Sequence, residues 1–277
     1  MSSSAPSRRP GWRLLKGLAP ALVIIASALY SLVSLSRADA ETPTPSDWNR
    51  AAEFVRSQSQ DGDLIVFAPL WIDPVGRHYL GDRISVAMAA SMDAAGYATI
   101  WELSFGGHRS RHTGGLARAQ SQAFGPLTVH QYRQTPALVS YDFTASHKRA
   151  KVSGPMHGRP NLGLQEVGFE PHQCVKVVPR PDQSASLLFE SVALGSKIVG
   201  YVGLADVFTR RDVREPGQLE LFVNGASVAT VVAGVDDGWR RFEVETTRGQ
   251  GSVEFRLTAL GPGARDRRIC FAAEARH

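Results

Sequence analysis

The sequence predicts an α+β chain in two domains: an N-terminal membrane helix, a small α/β domain with a mainly parallel sheet, then an antiparallel β-sandwich or jelly-roll. Three observations lead there. An uncharged run, Leu18 to Leu35, lies near the N-terminus. Helix-like and strand-like periodicities alternate from Asp47 to Tyr141. Beyond Leu164, short strand-like runs recur with turn residues between them.

The 277 residues are enough for two modest cores, and 43% hydrophobic with 21% charged residues suits folded domains rather than disorder. Arg8, Arg9, Arg13 and Lys16 account for four of the five net positive charges, so the rest of the chain is nearly neutral. The basic clusters that remain (His147 to Lys151, Arg210 to Arg214, Arg265 to Arg268) have little aromatic interleaving, and acidic residues lie close to the last two, which argues against nucleic acid as a partner.

The same four cations precede the run LAPALVIIASALYSLVSL, while only Arg37 stands between it and Asp39 and Glu41. That asymmetry predicts a cytoplasmic N-terminus, one pass through the inner membrane at residues 18–35, and a periplasmic body. Ala38-Asp39-Ala40 reads as an A-x-A cleavage site, so the alternative is a signal removed near Ala40 and a secreted body. Residues 1–36 are assigned to the cytoplasmic tip and anchor or signal, and 37–46 to a polar linker.

The α/β domain is expected over 47–143. Ser46 or Asp47 is placed to cap a helix through Trp48, Ala51, Ala52, Phe54 and Val55. Asp61-Gly62-Asp63 ends it and leads into a buried strand, Leu64 to Ala68. A second helix is expected from Ile84 to Ala95, then strands at Ala98 to Leu103 and Leu127 to Tyr132. Helical crossovers imply parallel pairing, with polar loops Pro69 to Asp82 and Ser104 to Thr113 gathered at the carboxyl ends of the strands.

Residues 144–163, rich in Gly, Pro and basic side chains, read as an interdomain connection. The sandwich is expected over 164–277, with strands at Cys174 to Val178, Ala185 to Ser191, Ile198 to Leu204, Leu219 to Val223, Ser227 to Val232, Arg240 to Glu245, Val253 to Thr258 and Ile269 to Ala275. Asn224-Gly225 between two such runs predicts a type I′ hairpin. Cys174 and Cys270 fall on the first and last of these strands, and an exported chain favours pairing them as a disulfide.

Asp47-Trp48-Asn49-Arg50-Ala51-Ala52, Gly62-Asp63-Leu64-Ile65-Val66 and Thr99-Ile100-Trp101-Glu102-Leu103 together resemble the soluble C-terminal domain of lipid-dependent membrane glycosyltransferases of the protein-mannosyltransferase and aminoarabinose-transferase type. The resemblance covers about a third of the chain and rests on scaffold positions. In that family the catalytic carboxylates lie in a multi-pass membrane domain that this sequence lacks, so it implies an envelope-glycan context and no catalytic residue. The stretch from Leu164 to His277, with Asp237-Gly238-Trp239 entering a strand and the closing Cys270-Phe271-Ala272, is similar in pattern to carbohydrate-binding jelly-rolls.

Candidate site residues cluster in the first domain. Trp71, Asp73, Arg77 and His78 follow the first strand at the edge where α/β folds place ligands, and Glu102, His108, Arg109, Arg111 and His112 join them from the next loop. Asp73-Pro74 is equally good turn chemistry. His108 and His112 have metal-binding spacing, but the glycines around them oppose a helix, so no metal is expected, and no motif calls for a cofactor. Trp239, with Tyr201 and Phe208, offers a platform on which a sugar ring can stack, or serves as core. The expected function is a membrane-anchored, non-enzymatic accessory protein recognising envelope glycan or a partner protein. The alternative is an envelope enzyme acting on glycan or lipid-linked sugar through Asp73, His78, Glu102 and His108.

Overall fold

The computed structural model describes residues 20–34, 42–205, 215–261 and 267–277. Residues 20–34 form a helix, α1. Among the described residues no helix is long and apolar enough to cross a membrane. This corrects the expected membrane helix, and the single-pass inner-membrane placement and membrane partner inferred from residues 18–35 go with it. The expected cleavage site at Ala38 to Ala40 lies outside the described residues.

Helix α2 (Pro45–Gln58) starts one turn earlier than its apolar pattern suggests, because Thr44 caps it. The Thr44 hydroxyl accepts from the Asp47 amide at 3.2 Å and Asp47 accepts from the Thr44 amide at 2.9 Å, a reciprocal capping box. Its apolar face, Trp48, Ala51, Ala52 and Val55, packs on one side of a four-stranded sheet against Phe67, Trp101, Leu103 and Val129. That sheet, A, comprises β1 (Leu64–Ala68), β2 (Thr99–Phe105), β3 (Arg118–Phe124) and β4 (Leu127–Arg133) in the order β1-β2-β4-β3. Only β1 and β2 are parallel; β2–β4 and β3–β4 are antiparallel, so the expectation of a mainly parallel sheet is corrected. The difference is β3, an exposed strand with no apolar alternation to reveal it.

Two helical expectations also change. Asp73-Pro74 opens a helix, α3 (Asp73–Leu80), rather than a turn: proline suits the first helical turn, and Arg77 pairs back to Asp73 one turn later. Gly76 permits α3 to lie on β1, since a Cβ there would fall 2.0 Å from the Phe67 ring. The helix expected from Ile84 to Ala95 is only α4 (Val86–Ala89). Beyond it, Asp93 bonds the Ala95 amide with its own side chain, a local pairing that competes with helix.

The sandwich follows. Sheet B contains β7 (Asn161–Val167), β8 (Glu170–Val177), β10 (Lys197–Ala205), β13 (Arg240–Glu245) and β15 (Arg268–Arg276), with β5 (Val139–Asp142) also pairing β15. Sheet C contains β6 (Lys151–Ser153), β9 (Ser184–Leu194), β11 (Gly217–Val223), β12 (Ala226–Ala233) and β14 (Gly249–Ala259). Every described strand pair of these two sheets is antiparallel. All eight expected strands are present. Strand β6 and the start of β7 lie within the stretch read as a connection.

The two sheets close on a core in which Phe143, Phe189, Phe255 and Phe271 stack edge to face or offset, and burying such a ring stabilises by ~1.5–3 kcal/mol. Asn224 and Gly225 have φ of 50° and 81°, both in the left-handed region as a type I′ turn requires, and join β11 to β12. Cys174 and Cys270 form a disulfide across adjacent strands β8 and β15, their Cα atoms 5.7 Å apart.

The disulfide lies on the outer face of sheet B, and there the small sheet's connection docks. Met92 and Trp239 pack on Cys174, Cys270 and Ala272. The Gln173 amide donates to the Ala90 carbonyl at 3.2 Å. Two clefts flank this seam.

Candidate functional site

The larger cleft, about 610 Å³, runs along β1. Asp73 and Arg77 of α3 stand at one end, where Arg77 Nε donates to Asp73 Oδ2 at 2.5 Å. Gly106 and Gly107, with φ of 61° and 74°, turn the chain after β2 into the loop that brings His108, Arg109, Arg111 and His112 to the wall. That loop is pinned from beneath by Glu102. This carboxylate is 0% exposed and accepts from the Ser110 amide at 2.8 Å, the Tyr132 hydroxyl at 3.1 Å and the Thr113 hydroxyl. Arg109 donates to the Thr113 carbonyl at 2.6 Å and to the Leu116 carbonyl, and lies 5.3 Å over the Tyr132 ring.

The opposite wall comes from the β7–β8 turn. Arg111 forms an ion pair with Glu170 and lies 2.7 Å from His172 Nε2. Burial pushes the Glu170 carboxyl up, but its hydrogen bond with His172 and the Arg111 charge outweigh that and hold it below the usual range. Burial, with Arg111 and His172 adding, pushes His112 down to about 4, so its imidazole is neutral at pH 7. Gly168 and Phe169 form the two-residue turn between β7 and β8; Phe169 has φ of 69° and is 69% exposed at the rim.

Of the residues expected at a site, Asp73, Arg77 and His108 line this cleft. Trp71 is exposed and sets its ring edge to face with Phe105 at 5.6 Å. His78 sits outside the lining, its ring against Tyr79. Glu102 lies behind the wall, engaged by its three donors. Trp239 donates from Nε1 to the Glu170 carbonyl at 3.0 Å and packs beside His172 and the disulfide. The four residues proposed as acid/base groups therefore do not converge on one point. Phe208 lies outside the described residues.

The second cleft, about 340 Å³, opens on the outer face of sheet B under residues 87–97. Asp93 is its anchor. It accepts from Arg276 at 2.9 and 3.1 Å and from the Tyr201 hydroxyl at 3.0 Å. Tyr201 is pushed up to about 12 by burial and the Asp93 charge. Across the pocket Glu274 and Asp142 stand opposite each other in the β15–β5 ladder. Glu274 Oε2 accepts from Arg276 Nε at 2.8 Å and Asp142 Oδ1 from the Ala145 amide at 2.9 Å. Among the described residues nothing donates to the other oxygen of either carboxylate. Burial raises Glu274, the Arg276 charge works against it, and Asp142 and Asp93 add to the rise. Tyr97, Thr144 and Gln173 complete the lining. Sequence reasoning missed this group because its carboxylates come from three distant segments and form no local motif.

The sequence matches no known protein family and no curated protein. Solved structures give partial matches. CBM51-2 in complex with GlcNAc, with INT domains, from Clostridium perfringens ZmpB has a TM-score of 0.40 at 14% identity, over 55% of this chain and 35% of that one. CBM51 from Clostridium perfringens GH95 in complex with methyl-galactose has a TM-score of 0.34 at 10% identity, over 45% and 92%. The C-terminal CBM6 of a laminarinase from Zobellia galactanivorans has 0.27 at 11%, over 45% and 99%. The chain spans about a third of the first of these. At such superposition the likeness carries no argument about ligand. The resemblance to glycosyltransferase domains gains no support from any of these matches.

Proposed function

We propose that the chain is a non-catalytic glycan-binding protein and that its saccharide sits in the 340 Å³ cleft on the outer face of sheet B. One observation carries this reading: Glu274 and Asp142, two carboxylates directly opposite across a ladder, both line the cleft, and among the described residues one oxygen of each has no protein donor. Like charges so placed cost stability, and an anionic ligand would add to that cost. A neutral polyol relieves it, because each sugar hydroxyl donates to a carboxylate oxygen. Tyr97 and Tyr201 add ring surface for the apolar side of a pyranose, and Gln173 and Thr144 add neutral partners. The volume, about 340 Å³, falls at the lower end of the range of small-molecule sites.

A hydrolytic reading is favoured by one feature, the raised Glu274 beside a second carboxylate, a pairing of the kind that serves acid/base cleavage of glycosidic bonds. A single experiment separates the two. The oxidised protein is titrated calorimetrically with neutral mono- and oligosaccharides, and the mixtures are assayed for new reducing ends. Saturable binding that is lost in Glu274→Gln, without product, supports the proposal. Product formation replaces it with hydrolysis, and neither heat nor product from a folded parent refutes both.

A further inference from the structure

We infer that the cleft along β1 receives an extended, acidic segment of a partner protein, which adds to sheet A as a fifth strand. Strand β1 ends the order β1-β2-β4-β3, so one of its edges has no neighbouring strand. Edge strands are ordinarily short, charged or interrupted by proline. Here the edge is Leu64-Ile65-Val66-Phe67-Ala68, and all five side chains are buried. All five residues nevertheless line the cleft. Among the described residues, no backbone or side-chain hydrogen bond reaches β1 from outside its ladder with β2. Buried N–H and C=O groups without partners are costly, and a cleft that presents a row of them selects a ligand that returns the same row.

An extended peptide does so. It alternates donors and acceptors at the repeat of a strand, and five residues of β1 offer about 17 Å of it. Charge selects the side chains. The lining carries Arg77, Arg109 and Arg111 against Asp73 and Glu170, and both carboxylates are already paired, with Arg77 and Arg111. Arg109 has carbonyl acceptors and the Tyr132 ring, and no carboxylate bonds to it among the described residues. Exposed Leu70 and Phe169 at the rim give apolar seats to alternate residues of the ligand.

The test uses the full oxidised chain and a fluorescent, N-acetylated, C-amidated pentapeptide alternating glutamate and valine, read by anisotropy. Two backbone-methylated versions accompany it, one blocking the amides of odd residues and one those of even residues. Only one parity of amides faces β1, so one version should lose at least tenfold in affinity while the other stays within about twofold. A lysine-for-glutamate peptide should also lose at least tenfold, and hydrogen exchange of the β1 amides should slow at least tenfold when the parent peptide is added. Equal loss from both methylated versions, protection elsewhere in the chain, or no saturable binding by a folded protein would each overturn the inference.

Discussion

Arg276, in the last strand, holds Asp93 through both terminal guanidinium nitrogens, at 2.9 and 3.1 Å, although 183 residues separate the two. Burial pushes the Asp93 carboxyl up, but the Arg276 hydrogen bonds and charge outweigh it and leave it below the usual carboxylate range. A depressed value means stability that is present above the ordinary 3.8 and lost as the pH falls through the folded value. Asp93→Ala leaves Arg276 with Glu274 as its remaining carboxylate partner and should cost about 1.5–3 kcal/mol at pH 7 by urea denaturation. A loss under 1 kcal/mol would mean that the seam does not depend on this pair.

Reducing the Cys174–Cys270 bond, or Cys270→Ser, should destabilise by about 4–5 kcal/mol on the chain-entropy account, given a sequence separation of 96. Guanidinium midpoints with and without reductant measure it. Coincident midpoints would show that Met92 and Trp239 hold that face without the covalent link.

Asp142→Asn removes one of two opposed carboxylates and should raise stability by about 0.5 kcal/mol while abolishing saccharide binding. Stability gained with binding retained would move the glycan site away from Glu274.

His112 is held near 4 against an ordinary 6.5, so between those values the unfolded chain takes up a proton that the folded chain refuses. Stability is therefore complete above pH 6.5 and declines toward pH 4, by up to about 3 kcal/mol. Unfolding free energies at pH 7 and 4.5 should lie closer together in His112→Asn than in the parent. An unchanged gap would place the acid sensitivity elsewhere.

Phe169 occupies a left-handed backbone position that costs an L-residue roughly 1–2 kcal/mol. Phe169→Gly should therefore stabilise the β7–β8 hairpin by about 1 kcal/mol, seen as a raised melting temperature, while weakening capture of the pentapeptide.

The strands that were legible in the sequence carry inward residues at every second position, as Leu219, Leu221 and Val223 do in β11, and the Asn224-Gly225 turn fixed their register. Those that were not legible lack that alternation: β3 reads Arg118-Ala119-Gln120-Ser121-Gln122 and is exposed throughout that stretch, and β6 is three exposed residues. Helix α3 was hidden because proline marks a helix start and a turn alike. Asp73, Arg77 and His108 were visible as polar residues at strand ends. Asp93, Asp142 and Glu274 were not, because only the docking of the small sheet on sheet B brings them together.

The two margins of sheet A face opposite fates in a concentrated solution. Along β3, arginine, glutamine and serine meet water, and such a border offers another molecule little reason to adhere. Along β1, an apolar border that would readily nucleate stacking between copies is recessed behind α4 and the β7–β8 turn. A cleft of about 610 Å³ is far too small for a folded domain and of the size of a few residues of extended chain. On the proposal made above, the recess would work as a size filter, closed to a second copy of the protein and open to one slender guest.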